Sequence, residues 1–125
     1  MRAARIIFLL AGIYGILVLL PDYFMEGWIG SHVPPPITHP EFFYGFVGVG
    51  LVFQIIFLVI SADPIRYRPL MLLSIFEKAS YVIPCAILYE QGRLQAKIGA
   101  SAIGDLVWGI LFVVAYAITR PSASS

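Results

Sequence analysis

Four long apolar stretches divide the chain, and each is long enough to cross a lipid bilayer. A membrane-spanning helix needs roughly 20 mostly apolar residues. The stretches are Ile6–Leu20, Phe42–Ile60, Pro69–Tyr89 and Ile98–Ile118. Connections that contain proline, glycine or charged residues separate them. The pattern predicts four membrane-spanning helices at about residues 5–21, 41–61, 69–90 and 98–120.

The connections between the spans favour an all-α fold. The link after the second span, Ser61 to Arg68, and the last loop, Arg93 to Lys97, are both short. Helices joined by short links pack as antiparallel neighbours. We therefore predict a single membrane domain over residues 1–125, a four-transmembrane-helix antiparallel bundle. The segment Asp22–Pro40 contains three consecutive prolines and is predicted to be a loop.

The positions of the basic residues predict the orientation of the bundle. Arg and Lys accumulate in loops on the cytoplasmic side of a membrane. One side of the predicted bundle holds Arg2, Arg5, Arg66, Arg68 and Arg120, and the other holds Arg93 and Lys97. This difference places both termini in the cytoplasm and the proline-rich loop outside. We expect a multi-pass protein of the inner (plasma) membrane.

Composition agrees with a membrane protein and excludes other classes. The chain is 60% hydrophobic and 12% charged, whereas soluble domains are about 25% charged. A net charge of +1 provides no basic stripe for nucleic acid. The single cysteine, Cys85, cannot form an intrachain disulfide. Because no small-residue cleavage site follows it, the first span is predicted to be a retained helix and not a signal peptide.

The third span carries two adjacent ionisable residues, Glu77 and Lys78, deep within its apolar sequence. Such a side chain at the bilayer centre costs about 2.5–3.5 kcal/mol on insertion scales unless a partner compensates it. From the helical rise, Glu77 and Lys78 lie about 12–14 Å from the cytoplasmic end of their helix. Tyr14 and Gln54 reach similar depths on the first and second spans. We expect these side chains to form one polar layer that faces the bundle interior.

Asp105 is the other deep carboxylate, about 9 Å from the outer end of the fourth span. Side chains tilt toward the N-terminus of their own helix, so Lys78 and Asp105 are expected to lean apart. A direct ion pair is therefore disfavoured relative to a contact through water. Adjacent Glu77 and Lys78 are also not expected to face each other. Tyr81 shares the polar face of the third span, and Trp108 shares the face of Asp105.

Two interpretations of these deep polar groups stay open. They either fix helix register as buried pairs or form a ligand or proton site between helices. The ligand-binding hypothesis assigns the following residues to the site: Tyr14, Gln54, Glu77, Lys78, Tyr81, Asp105 and Trp108. Glycines in the first, second and fourth spans predict close helix packing, within the bundle or, alternatively, across a homodimer seam.

No motif identifies a reaction, a metal or a cofactor. The outer loop holds Asp22, Glu26, His32, His39 and Glu41, whose spacing matches no closed metal motif, and we interpret them as solvated residues. No GxSxG, HExxH, P-loop or CxxC pattern occurs. We predict no metal, no cofactor and no nucleic-acid partner. The expected partners are the lipid bilayer and either further copies of this chain or subunits of a membrane complex.

Several short segments carry a resemblance to a known family. They are Phe53-Gln54, the run from Ala62 to Pro69 (ADPIRYRP), Phe76-Glu77-Lys78, Gln91-Gly92-Arg93 and Gly104-Asp105. Over residues 41–118 the chain resembles small bacterial four-helix membrane proteins of the DoxX-like type. The resemblance implies the four-helix fold and no established reaction.

The sequence thus favours a small integral membrane protein that binds a small apolar or amphipathic ligand, or acts as an accessory subunit of a membrane complex. One alternative is a membrane enzyme that uses Glu77 and Lys78 as an acid–base pair. Another is a small transporter that functions as a dimer. No nucleophile motif favours the enzyme, and no pair of broken helices favours the transporter.

Overall fold

The computed structural model describes residues 2–120, which form α-helices and one short 3-10 helix and contain no β-strand. The α-helices are α1 (Arg2–Leu19), α2 (Glu26–His32), α3 (Pro40–Ala62), α4 (Arg68–Glu90) and α5 (Ala96–Ile118). The 3-10 helix, Leu20–Phe24, directly continues α1. The prediction of an all-helical chain is confirmed.

Four segments are long and apolar enough to cross a membrane: Arg2–Phe24, Pro40–Ala62, Arg68–Glu90 and Ala96–Ile118. An α-helix of their length, 23 residues, extends about 35 Å and exceeds the roughly 30 Å hydrocarbon core of a bilayer. Large apolar side chains such as Leu17, Phe42 and Ile103 point away from the protein interior and are exposed. The chain therefore has the architecture of a multi-pass membrane protein.

Proline and glycine set the helix boundaries. Pro40 and Pro69 lie in the first turns of α3 and α4, and Pro21 lies in the first turn of the 3-10 helix. The first turn of a helix tolerates proline because its N–H groups have no partner within the helix. After α4 ends, Gly92 adopts a φ of +69°, a left-handed conformation that glycine reaches at little cost. The spans therefore end close to where the sequence predicts.

The segment between α1 and α3 departs from the prediction. A loop is predicted from Asp22 to Pro40, but the structure forms most of the 3-10 helix and all of α2 there. Gly30 of α2 is buried against the returning chain, because a Cβ at Gly30 would lie 3.4 Å from the Cα of Pro36. Packing of the chain on itself therefore stabilises a short helix that the local sequence alone, with its two glycines, does not favour.

Two hydrogen bonds, which we call the outer tie, join this segment to the end of the link between α4 and α5 and to the first turn of α5. The ammonium of Lys97 donates to the carbonyl of His32 at 2.9 Å. The side-chain amide of Gln95 donates to the carbonyl of Pro34. The end of α2 and the chain that follows it are thus held beside the start of α5, although the bonded residues are 61 and 65 positions apart in sequence.

The long helices contact one another unequally. α1 packs mainly on α3 and α4 mainly on α5, and contacts between α1 and α5 join the two pairs. Among the four neighbouring pairs of long helices, α3 and α4 contact each other least. The bundle is therefore least closed along the boundary between α3 and α4.

The tightly packed core lies toward one end of the bundle. Phe8, Phe57 and Phe112 are fully buried there. The ring of Phe112 stacks on Phe8 with centroids 4.4 Å apart and meets the ring of Phe57 edge-on at 4.8 Å. At the same end, the Arg68 guanidinium lies 3.7 Å from the ring centroid of Tyr116 and donates to the Tyr116 carbonyl at 2.9 and 3.2 Å. The aromatic core joins α5 to α1 and α3, and the Arg68 contact joins α4 to α5.

Candidate functional site

A cavity of about 800 Å³ lies next to the aromatic core, between α1, α3, α4 and α5. Small-molecule pockets commonly enclose roughly 300–1,000 Å³. Its wall includes Phe46 and Val49 of α3 and Phe76 of α4, which are 54%, 62% and 58% exposed. Since these exposed side chains belong to the two helices that contact each other least, the cavity opens sideways between α3 and α4.

The wall of this cavity contains all seven residues that the sequence assigns to a site. They are Tyr14, Gln54, Glu77, Lys78, Tyr81, Asp105 and Trp108. They come from four long helices. Depth along the helices predicts this grouping for Tyr14, Gln54, Glu77 and Lys78, whereas the other three were assigned by their inward-facing position. That these residues bind a ligand stays a prediction.

Glu77, Lys78 and Asp105 form a contiguous cluster, which we call the charge triad. The Lys78 Nζ atom lies 3.5 Å from Glu77 Oε2 and 3.5 Å from Asp105 Oδ1. The structure therefore contradicts the expectation that Lys78 meets neither carboxylate directly. The tilt of the Cα–Cβ bond fixes only the start of a side chain, and the flexible four-carbon stem of lysine brings its ammonium to both partners.

The contacts within the charge triad are incomplete. Lys78 donates a hydrogen bond to Asp105, whereas its contact with Glu77 lacks hydrogen-bond geometry. Within residues 2–120, Glu77 Oε2 is buried and has no hydrogen-bond partner. Both N–O distances also exceed the roughly 2.7–2.9 Å of a strong charge-assisted bond. Glu77 and Asp105 are therefore only partly satisfied, and the unpartnered oxygen of Glu77 is buried beside Lys78.

The aromatic core and α5 position Lys78 from the opposite side. Its Nζ atom lies 5.3 Å from the ring centroid of Phe57 and 6.0 Å from that of Phe112, distances at which an aromatic face attracts a cation. The stem of Lys78 packs on Gly109, where an added Cβ would lie 3.3 Å from the Lys78 Cβ. With 8% of its side chain exposed, Lys78 is held between the core and the carboxylates.

Gln54 faces α1 and not the charge triad. Its Nε2 atom donates to the Gly50 carbonyl at 2.9 Å, and its Oε1 atom fills the space that a side chain at Gly15 would need. Among residues 2–120, no hydrogen bond joins Gln54 to Glu77. Gln54 therefore fixes the contact of α1 with α3 and supplies part of the wall. In the described part of the chain, the predicted polar layer is therefore not joined by a direct hydrogen bond between Gln54 and Glu77.

Tyr81 links α4 to α5 at the end of the cavity away from the core. Ser101 Oγ lies 3.0 Å from the Tyr81 hydroxyl and donates its own proton to the Ile98 carbonyl at 2.7 Å. Since a serine hydroxyl has one proton, Tyr81 donates to Ser101. The Tyr81 hydroxyl is thus engaged within the protein, while its ring lines the cavity.

Aromatic side chains supply much of the remaining wall, and several of them were not predicted. We call this set the aromatic wall: Tyr14, Phe46, Phe53, Phe76, Tyr81 and Trp108. The rings of Tyr14 and Trp108 lie 5.9 Å apart, and those of Phe46 and Tyr81 lie 6.1 Å apart. Phe46 and Phe53 recur at helical spacing on the face of α3 that carries Gln54. That spacing is the sequence signal that could have identified them.

The histidines of the outer segment make local contacts. His39 Nδ1 lies 3.2 Å from Glu41 Oε1. The His32 ring stacks on Trp28 with centroids 4.2 Å apart. Within residues 2–120, no group of three or more His, Cys, Asp or Glu residues is arranged to hold a metal ion.

Known proteins provide no assignment for this chain. No protein-family model, no curated protein and no solved structure matches it. The resemblance to DoxX-like proteins stays a prediction. The cavity and the charge triad are therefore the features from which function is inferred.

Proposed function

We propose that this chain is a membrane protein that binds small amphipathic or apolar molecules in the cavity between α3 and α4. The observation that carries the proposal is a space of about 800 Å³ that opens sideways between two long apolar helices. A molecule dissolved in the bilayer reaches such an opening without crossing water. The wall is mainly apolar and has a few convergent polar groups, the composition typical of small-molecule sites.

A purely structural role for the charge triad leaves the neighbouring cavity unexplained. An ion cluster that only fixes helix register needs close packing around it, because protein interiors leave few voids larger than a water molecule. The triad lies instead at the edge of a cavity far larger than that. A site that receives a ligand explains both the charged groups and the space beside them.

Gly45 provides a way to fill the cavity without disturbing the bundle. It lies in the wall, and a Cβ added there meets no atom within 4 Å. Leucine also favours a helix more than glycine, by up to about 1 kcal/mol. We expect Gly45→Leu to reduce ligand occupancy while thermal stability in detergent stays equal or rises. If the added side chain removes about 1.4 kcal/mol of binding free energy, the occupancy by a subsaturating ligand falls about tenfold.

Photolabelling in lipid nanodiscs tests this prediction. The probe is a neutral long-chain alcohol that carries a diazirine, and peptide mass spectrometry measures its addition at Trp108, a half-buried residue of the wall. The control is Val52→Leu, which enlarges an exposed side chain of α3 outside the cavity. Labelling of Trp108 should persist in the control and fall in Gly45→Leu. Equal labelling in the two variants would show that the cavity holds no ligand.

We further propose that the long helices alternate in direction and that both termini face the cytoplasm of a bacterial inner membrane. The contact between Arg68, at the start of α4, and Tyr116, near the end of α5, supports opposite directions for these two helices. The contact between Phe8 and Phe57 supports the same for α1 and α3. The excess of arginine at the termini and in the link between α3 and α4 supports a cytoplasmic position for that end.

Cysteine labelling tests the orientation. In a Cys85→Ala background, Ser31→Cys and Ala62→Cys place single thiols at exposed positions of α2 and of the end of α3. A membrane-impermeant maleimide applied to intact bacterial cells should label residue 31 and should label residue 62 only after permeabilisation. Labelling of residue 62 in intact cells would reverse the proposed orientation.

A further inference from the structure

We propose that the molecules bound in this cavity are amphipathic organic cations. The positive group lies against Glu77 and Asp105, and the apolar body lies along the aromatic wall toward the opening between α3 and α4. This inference rests on the proposed function, because it names the class of ligand for the same cavity. Charge, hydrogen bonding and the aromatic residues support it separately.

The charges of the wall favour a cation. Among the described residues that line the cavity, Glu77, Lys78 and Asp105 are the ionisable acids and bases apart from the tyrosines. Two carboxylates and one ammonium give the ionised triad a formal charge of −1. An unbalanced charge is costly inside a membrane. A ligand with one positive charge balances it, whereas an anion adds to it.

The geometry of Lys78 makes its ammonium less available to an anionic ligand than the carboxylates are to a cation. Its ammonium already contacts both carboxylates at 3.5 Å, and the rings of Phe57 and Phe112 lie on its other side. Glu77 Oε2 has no hydrogen-bond partner within the described residues, but it is buried and faces Lys78. Of the charged groups in the wall, the Glu77 and Asp105 carboxylates therefore remain to attract a ligand, and their negative charge favours an ammonium or a quaternary cation.

The aromatic wall suits the same ligand class. Aromatic faces attract a cation within about 6 Å, and tryptophan does so most strongly. Trp108 is next to Tyr14 in the wall and lies one helical turn from Asp105 on α5. The apolar part of the ligand contacts the other rings and extends to the lipid through the lateral opening. A hydrophilic cation has no apolar part to contact these rings and the lipid, so the site favours amphipathic cations.

A pair of ions with matched shape and opposite charge tests the inference. Tetraphenylphosphonium and tetraphenylborate differ in charge and little in size. Equilibrium dialysis is carried out with the full chain in nanodiscs of phosphatidylcholine, which has no net charge. We expect tetraphenylphosphonium to bind and to displace the diazirine alcohol from Trp108, and tetraphenylborate to do neither. Equal binding of the two ions above empty nanodiscs would overturn the inference.

Variants of the charge triad locate the binding. Glu77→Gln and Asp105→Asn should each weaken binding of tetraphenylphosphonium by about tenfold or more, and Asp105→Glu, which keeps the charge, should restore most of it. Lys78→Gln should strengthen binding, because it removes the internal cation; the carboxylate variants decide the outcome if this variant does not fold. Glu90→Gln is the matched control, an exposed carboxylate on the same helix outside the cavity.

The outcomes separate this inference from the proposed function. If the neutral alcohol labels Trp108 and the Gly45→Leu variant loses that labelling, but tetraphenylphosphonium does not compete, the cavity binds ligands of another class. If labelling is insensitive to Gly45→Leu, the proposed function itself is wrong. Unchanged affinity for tetraphenylphosphonium in both carboxylate variants, with melting temperatures equal to wild type, would also overturn the assignment to the triad.

Discussion

Replacement of Lys78 by methionine should destabilise the protein more than any single replacement of a carboxylate in the triad. Lys78 is the shared partner of Glu77 and Asp105. Its loss leaves two carboxylates in an apolar interior with no cation between them. Removal of one member of a buried ion pair costs about 3–5 kcal/mol. Methionine has a similar shape and keeps the packing against Gly109, so the effect reports charge and not volume.

The carboxylate variants should be milder, in a defined order. Glu77→Ala leaves the hydrogen bond between Lys78 and Asp105 and a formally neutral pair. It should therefore lower the melting temperature less than Lys78→Met. It should lower it more than Glu26→Ala, in the outer segment, because the Glu77 side chain is only 19% exposed and contacts Lys78. Thermal unfolding in detergent, followed by circular dichroism, measures all three. A melting temperature for Lys78→Met equal to that of the wild type would show that the triad does not hold ionised carboxylates.

Replacement of Gly12 by valine should separate α1 from α3. A Cβ at Gly12 would lie 2.6 Å from Leu58 Cδ2 and 2.9 Å from the backbone carbonyl oxygen of Gln54. The leucine side chain can move, but the carbonyl belongs to a regular helix and cannot. Overpacking of this kind costs about 1–3 kcal/mol, and the contact with backbone places the effect at the upper end. Gly45→Val adds the same side chain where no atom lies within 4 Å and serves as the control.

Gly12→Val also tests how the glycines of the first span are used. Gly12 and Gly15 both pack on α3, with Leu58 and Gln54 as neighbours, and this supports the interpretation that they serve packing within the bundle. We expect a lower melting temperature with an unchanged molar mass in size-exclusion chromatography with light scattering. A change in molar mass without loss of stability would instead assign these glycines to a seam between copies of the chain.

The extent of the long helices could be predicted because a helix that crosses a bilayer needs an apolar stretch of matching length. The third and fourth predicted spans, 69–90 and 98–120, agree with α4 and α5 to within about two residues at each end, the usual uncertainty of helix boundaries. The first predicted span begins at residue 5, whereas α1 already includes Arg2. A prediction from hydropathy starts the span near the charged residue Arg5. The helix itself begins earlier, at Arg2, because an arginine side chain can extend from a helix to water.

The gap between α3 and α4 could not be predicted from glycine spacing. Gly45, Gly48 and Gly50 suggest that α3 packs closely on its neighbours. The structure places Gly50 against Leu19, the last residue of α1, and Gly48 against Tyr23 in the 3-10 helix, while Gly45 faces open space. Glycine permits close approach, but only the three-dimensional arrangement determines which neighbour uses it. The cavity exists because the face of α3 at Gly45 has no neighbouring helix against it within the described chain.

The charge triad was predictable in its members and not in its contacts. The cost of exposing Glu77, Lys78 or Asp105 to lipid predicts that all of them face the interior. Depth along the helices groups Glu77 with Lys78 but places Asp105 closer to the outer end. Which atoms then meet depends on side-chain torsions, and lysine has four of them. The residues with few torsions, such as Tyr81 and Trp108, lie in the wall as their helical faces predict.

On its acceptor side, the outer tie depends on the position of the backbone and not on which side chains the segment carries. Both acceptors are backbone carbonyls, of His32 and Pro34, whereas both donors are the side chains of Gln95 and Lys97. Every amino acid carries the carbonyl, but few side chains can reach it and donate. Among sequences that share this fold, the outer tie should therefore place no restriction on the side chains at positions 32 and 34, while it should restrict positions 95 and 97 to long donors. The conspicuous proline triplet would then be the side of the contact under weaker evolutionary constraint.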